Sequence, residues 1–324
     1  RPKSVGSYNS NYKIKELPLD ELMDTLLLSN KILEQSEKVV SAISMARIVD
    51  MDMKFVSSNG SDFEQSFMYV GPGYRVIAQD GNVVQSRSYT DQCQQAGMEN
   101  FNQDKVLSKC EDLSKEVVEL LTAEECPTGE LDLVLHSDQM LLQIHESIGH
   151  ALEVDRILGD ERNYAGWSFV KLEDFGKLQY GSKHMNITFD PTLESEFASY
   201  AYDDGGLKAS KEYLIKDGLL LRGLGGQESQ IRSGLNGVAN FRASSWNRAP
   251  IDRMGNINLE SGDTSFDDLI SQVEYGVYME SNKSWSIDDY RNKFQFGCEY
   301  GKLIENGKMT KTVKNPNYRG ISNP

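Results

Sequence analysis

The chain reads as a mixed helix-and-strand protein in two parts: a helix, meander and helix up to about residue 126, then a β-rich remainder carrying one long helix. Two runs with apolar residues at helical spacing, Asn-Gly and Asp-Gly turns between alternating stretches, and a turn-forming break after Glu124 predict this. Residues 1–12 are polar and are expected to fray. From Pro18 the apolar positions Leu22, Leu26, Ile32, Leu33, Val39 and Val40 fit one helix, with Asp20 and Glu21 suited to its first turn. Met51, Met53 and Phe55 then alternate up to Asn59-Gly60, and Phe67, Tyr69, Tyr74, Val76 and Val83 continue the meander through Asp80-Gly81. A second helix carries Val106, Leu107, Cys110, Leu113, Val117, Leu120 and Leu121. The stretch Glu124-Glu125-Cys126-Pro127-Thr128-Gly129 reads as a linker and divides the chain into domains 1–126 and 127–324. The second part opens with a strand at Leu131 to Leu135 and a helix capped by Ser137 and running to about Leu158. After it come alternation at Met185 to Phe189 and a hairpin from Tyr213 to Leu221 about Asp217-Gly218. A helical stretch near Phe266 to Val273 precedes a last hairpin, Phe294 to Ile304 turning at Asn306-Gly307 into Met309 to Val313.

Composition narrows the functions available. Hydrophobic residues make up 39% and charged residues 26%, so the chain can bury a core, and no run approaches the ~18–20 apolar residues of a membrane span. The net charge is −15 and no basic face stands out, which argues against nucleic acid as a partner. Cys93, Cys110, Cys126 and Cys298 form no C-x-x-C pair and no disulfide framework, which predicts reduced thiols and a cytoplasmic protein. The chain begins at Arg1 without methionine or an apolar leader, so a missing N-terminal piece is expected.

The chemistry concentrates in Gln143-Ile144-His145-Glu146-Ser147-Ile148-Gly149-His150, which holds two of only four histidines. Zincins place two imidazoles at i and i+4, about 40° apart around a helix. Here the spacing is i and i+5, about 140° on a regular helix, so a metal can be shared only if the helix is locally widened. A one-residue π-type bulge between Glu146 and His150 does this, and Gly149 would tolerate the distortion best. Glu146, beside the first histidine, suits a general base acting on metal-activated water. A third ligand is open among His136, His184, Glu153, an acidic residue of the β region and a cysteine, with Glu153 also able to orient an imidazole. Among the cysteines Cys298 stands out, on the same strand face as Phe294 and Phe296, where an apolar wall suits a soft ligand. The runs around Asn240, Arg242, Arg253 and Asn256 either satisfy backbone groups in a sheet corner or bind substrate peptide. The loop from Leu158 to Gly181, with Trp167, lines the substrate path or covers the site.

His145-Glu146-Ser147-Ile148-Gly149-His150 followed by Ala151-Leu152-Glu153 resembles the HExxxH segment of the TldD/PmbA family, once called modulators of DNA gyrase. The resemblance runs on through Asp203-Asp204-Gly205-Gly206, Gly237 to Ala243, Pro250 to Ile257, Phe296-Gly297-Cys298-Glu299 and Leu303 to Lys308, and is loose before residue 127. It implies an α+β fold, with an N-terminal α/β-type domain and a C-terminal domain of curved antiparallel sheet carrying the HExxxH helix. It implies a zinc peptidase acting on unfolded peptides or leader segments, as a homodimer or beside a PmbA-like chain. By the same resemblance His145, His150 and Cys298 would be the zinc ligands and Glu146 the general base, on the catalytic TldD side of the family.

Overall fold

A computed structural model describes residues 3–14, 17–90 and 93–323. Its first sheet has the long strand β3 (Asp62–Asp80) at its centre, flanked along one whole edge by antiparallel β2 (Val39–Val56). The other edge is shared by parallel β1 (Val5–Asn9) and antiparallel β4 (Val83–Tyr89) and β5 (Gln94–Gln95). Arg1 and Pro2 lie outside the described residues; of the segment expected to fray, Val5–Asn9 is a strand of this sheet. Two helices pack on the sheet, α1 (Leu19–Leu33) and α2 (Gln103–Thr122). Asn102 caps α2 by accepting from the Lys105 amide at 3.0 Å. Leu22, Leu33, Val106, Cys110, Leu113, Val117 and Leu121 form one core with Val70, Tyr74, Val76 and Ala78 of β3. The first helix ends at Leu33, and Val39 and Val40, expected to extend it, begin β2 instead. Their apolar side chains fit both periods, and pairing with β3 settles the choice.

The rest of the chain builds a second, larger sheet in the order β6 (Glu124–Glu125), β16 (Lys308–Lys314), β15 (Lys293–Glu305), β14 (Tyr275–Ile287), β7 (Asp132–Leu135), which a helix α3 (Ser137–Ile144) leaves directly. Beyond α3 come a short helix α4 (Val154–Leu158), a small sheet of β8 (Ile187–Phe189), β9 (Glu212–Lys216), β10 (Leu219–Leu220) and β13, and helix α5 (Gln227–Ser233). A two-stranded ladder follows, β11 (Phe241–Arg242) with β12 (Ile251–Asp252), and then β13 (Ile257–Leu259) and α6 (Phe266–Ser271). The chain closes with β14 (Tyr275–Ile287), β15 (Lys293–Glu305), β16 (Lys308–Lys314) and β17 (Asn317–Ile321). Asp217 and Gly218, and Asn306 and Gly307, all have positive φ between 50° and 76°, as the two expected hairpin turns require. The architecture is α+β.

The two parts meet across buried charge. Arg87 of β4, fully buried, donates to Glu116 of α2 and to Glu280 of β14, each at 2.8 Å, and stands 3.6 Å from Glu299 of β15. Glu299 also accepts from the Ser88 amide at 2.6 Å, and Tyr300 places its ring under the Arg87 guanidinium.

Candidate metal centre

His136, not Ser137, holds the N-cap position of α3, its Nδ1 donating to the Asp138 carboxylate at 2.7 Å. The helix runs regularly to Ile144 and then widens. The amide of His150 donates to the carbonyl of His145, five residues back, so residues 145–149 form the π-type turn that the i, i+5 spacing demands. The two rings consequently face one another at right angles, their centroids 4.6 Å apart. Gly149 contributes by its size rather than its flexibility, since its φ and ψ are ordinary helical values of −54° and −65°. A Cβ there would fall 2.0 Å from the sulfur of Met254, so glycine lets the Met254 side chain pack directly against the turn. After a further tight helical turn, His150–Leu152, the chain straightens at Glu153, and Leu152 and Val154 pair with Leu224, which fixes Glu153 beside the turn.

One ligand atom from each of His145, Glu146 and His150 lies within 4.8 Å of the other two. Nδ1 of His150 is hydrogen-bonded to Glu153 Oε2 at 3.0 Å, which fixes the ring and leaves Nε2 free. Glu153 is fully buried and held by Arg156, whose Nε and Nη2 donate to it at 3.2 and 2.9 Å. Burial alone would raise the Glu153 carboxyl, but the bonds from His150 and Arg156 outweigh it and set its pKa below the ordinary value. Burial, and then the charge of His150, lower the pKa of His145, which favours the neutral, lone-pair-bearing imidazole. A pair of oriented imidazoles with a carboxylate between them fits a divalent transition metal such as zinc.

Cys298 is not brought into this group. Its thiol is buried among Val277, Met279, Leu303 and Val313, with Cys126 and Leu135 packed against them, and burial pushes its pKa up. Leu135 precedes α3, and the eight residues of α3, Ser137 to Ile144, put about 12 Å of helix between that end and the histidines. The four candidate substrate residues divide. Asn256 engages its side chain within the fold, accepting from the Ala198 amide at 2.8 Å and donating to Asp190 O and Ser199 Oγ. Asn240 is buried and donates to the Arg253 carbonyl at 3.1 Å. Arg242 is exposed, while Arg253 is half-buried with its guanidinium 3.6 Å from Glu153.

Sequence reasoning missed Arg291. It lies in the turn between β14 and β15 and donates to Glu146 Oε2 at 2.7 Å. A lone arginine in a polar turn carries no local signal, and the contact spans 145 positions.

Residues 128–321 match the model of the PmbA/TldA metallopeptidase C-terminal domain. The chain belongs to this family. A protein of Methanocaldococcus jannaschii described as a metalloprotease is 26% identical over 98% of this chain and 72% of its own length. Another metalloprotease, from Methanothermobacter thermautotrophicus, is 30% identical over 84% of this chain and 58% of its own. A zinc metalloprotease TldD homolog of Saccharolobus solfataricus is 25% identical over 74% of this chain and 52% of its own length. The chain thus spans only about half to three quarters of these relatives. In fold it resembles a Thermotoga maritima protein described as a candidate modulator of a DNA gyrase, with a TM-score of 0.79 and 18% identity over 97% of this chain and 71% of that one. Among the described residues no helix is long and apolar enough to cross a membrane.

Proposed function

We propose that this chain is a metal-dependent peptidase acting on unfolded peptides, with His145 and His150 holding zinc and Glu146 as general base. The observation that carries this reading is the π-type turn, which turns two imidazoles five residues apart onto one carboxylate-bearing face. When bound, the metal supplies a Lewis acid that polarises the scissile carbonyl and acidifies water. The protein's own part is to hold and move the proton. Glu146 takes it from the attacking water and returns it to the leaving amide nitrogen. Glu153 keeps Nδ1 of His150 engaged, so that Nε2 remains the donor. Arg242 and Arg253 are the proposed contacts to the substrate backbone, and an extended peptide pairs with a free strand edge, which explains a tolerance of sequence. The partner is a second copy or a PmbA-like chain, in the cytoplasm.

The position of Cys298 outside the histidine group favours a second reading, a non-catalytic partner that keeps the scaffold. One experiment separates the two. Glu146→Gln should retain zinc and lose casein cleavage by a factor on the order of 10²–10⁴ relative to the wild type. A wild-type chain that holds no zinc and cleaves nothing supports the second reading.

A further inference from the structure

Glu146 stands among the very atoms it is proposed to serve. With one oxygen within 4.8 Å of both imidazole donors, it is as well placed to ligate a divalent ion as to act on water. As a ligand it would fill a position that water or substrate needs. We propose that Arg291 decides between these roles, holding Glu146 off the metal and so reserving it as a base; this rests on the metal-centre reading above.

The guanidinium is fixed from both sides. Its Nη1 donates to Glu146 Oε2 at 2.7 Å and its Nη2 to the carbonyl of Ala165 at 3.0 Å, and the pair is largely withdrawn from solvent. Arg291 adopts the left-handed backbone conformation, with φ of 62°, which aims its side chain from the β14–β15 turn towards α3's widened end. That turn is in turn tied to the segment bearing Ala165. The amides of Trp167 and Phe169 donate to the carbonyls of Asp289 and Tyr290 at 2.6 and 2.8 Å. Gly166, at φ of 81°, approaches so closely that a Cβ would sit 2.5 Å from the Asp289 oxygen. Ala165 O also accepts from Arg156, which holds Glu153, which holds His150. One carbonyl therefore joins the arm that orients the base to the arm that orients an imidazole. An arginine suits this task because it occupies a carboxylate lone pair, cannot lose its proton and cannot itself ligate a metal. Arg291 is a positioning residue, acting through Glu146.

The test is zinc affinity, measured without substrate by competition against a chromophoric chelator, beside peptide turnover. In Arg291→Met the freed Glu146 joins the metal. Zinc should bind about tenfold tighter or more, while turnover at full zinc occupancy falls about 100-fold or more. Adding Glu146→Gln to that variant should return zinc affinity to near the wild-type value, and Arg291→Lys should keep affinity near wild type. Zinc binding that is unchanged or weaker in Arg291→Met, or tightening that Glu146→Gln does not reverse, overturns this role while leaving the metal centre standing. A wild-type chain that binds no zinc overturns both. If Arg291→Met does not fold, Arg291→Asn, which suits the positive φ at this position, serves in its place. Its short side chain does not reach Glu146, so zinc should again tighten, and an unchanged affinity contradicts the proposal.

Discussion

The two ends of α3 carry clusters that look alike on paper. At its C-terminal end His145, Glu146 and His150 converge; at its start His136, Asp138 and Glu280 do, and in each the ligand atoms lie within 4.8 Å of one another. What differs is how many lone pairs are already engaged. In the second cluster Nδ1 of His136 is bound to Asp138 at 2.7 Å, and Asp138 also accepts from Ser281 Oγ and the Gln139 amide. Burial would raise the Asp138 carboxyl, yet the bonds from His136 and Ser281 outweigh it and bring its pKa down to about 2. Glu280 answers to Arg87, Lys109 and Tyr278. A cation arriving there would have to displace two others. The first cluster offers two imidazoles, His150 engaged only at Nδ1 and His145 without a side-chain hydrogen bond among the described residues, where the second offers one, so donor identity alone does not make a metal site; the number of unengaged donors does.

If the second cluster is joinery, cutting it should cost stability and leave metal binding alone. Arg87→Met strands Glu116, Glu280 and Glu299 in a buried joint, and urea unfolding should show a loss of about 3–5 kcal/mol with zinc content unchanged. Glu153→Gln sharpens the other side of the contrast. It disturbs the partner of His150 without removing a ligand, and zinc affinity should fall 10–100-fold, the range set by orienting carboxylates. A smaller effect concerns pH. Burial, and then the charge of Asp252, raise the Asp155 carboxyl to about 7 from 3.8. The folded state then holds a proton that the unfolded chain releases, so this group's contribution is complete below about pH 4 and is lost as pH rises towards 7. Tm should decline across that window, and Asp155→Asn should flatten the decline. Cys298→Ser should do least, shifting zinc affinity by no more than about twofold, because the thiol belongs to the apolar cluster rather than to the histidines.

Local pattern carried far in this chain, and its failures have physical causes. The i, i+5 histidine spacing required a widened turn, and the turn is there, because helical geometry leaves no other way for both rings to meet. The Asn-Gly and Asp-Gly hairpins followed from the φ that their turns need. β14 was not foreseen, since Gly276 to Ser281 is buried throughout and a bulge near Asn282 and Ser284 breaks any alternation. The role of Cys298 depended on which wall of the sheet its strand faces, and the role of Arg291 on a turn folding back over a distant helix. Neither is local.

The account stands on metal held by the pair at one end of α3 and not by the trio at the other. Zinc content of purified protein, measured by elemental analysis for the wild type, His150→Ala and His136→Ala, tests this most directly. The expected result is about one zinc per chain in the wild type and in His136→Ala, with little in His150→Ala. Zinc retained in His150→Ala but lost in His136→Ala would contradict it.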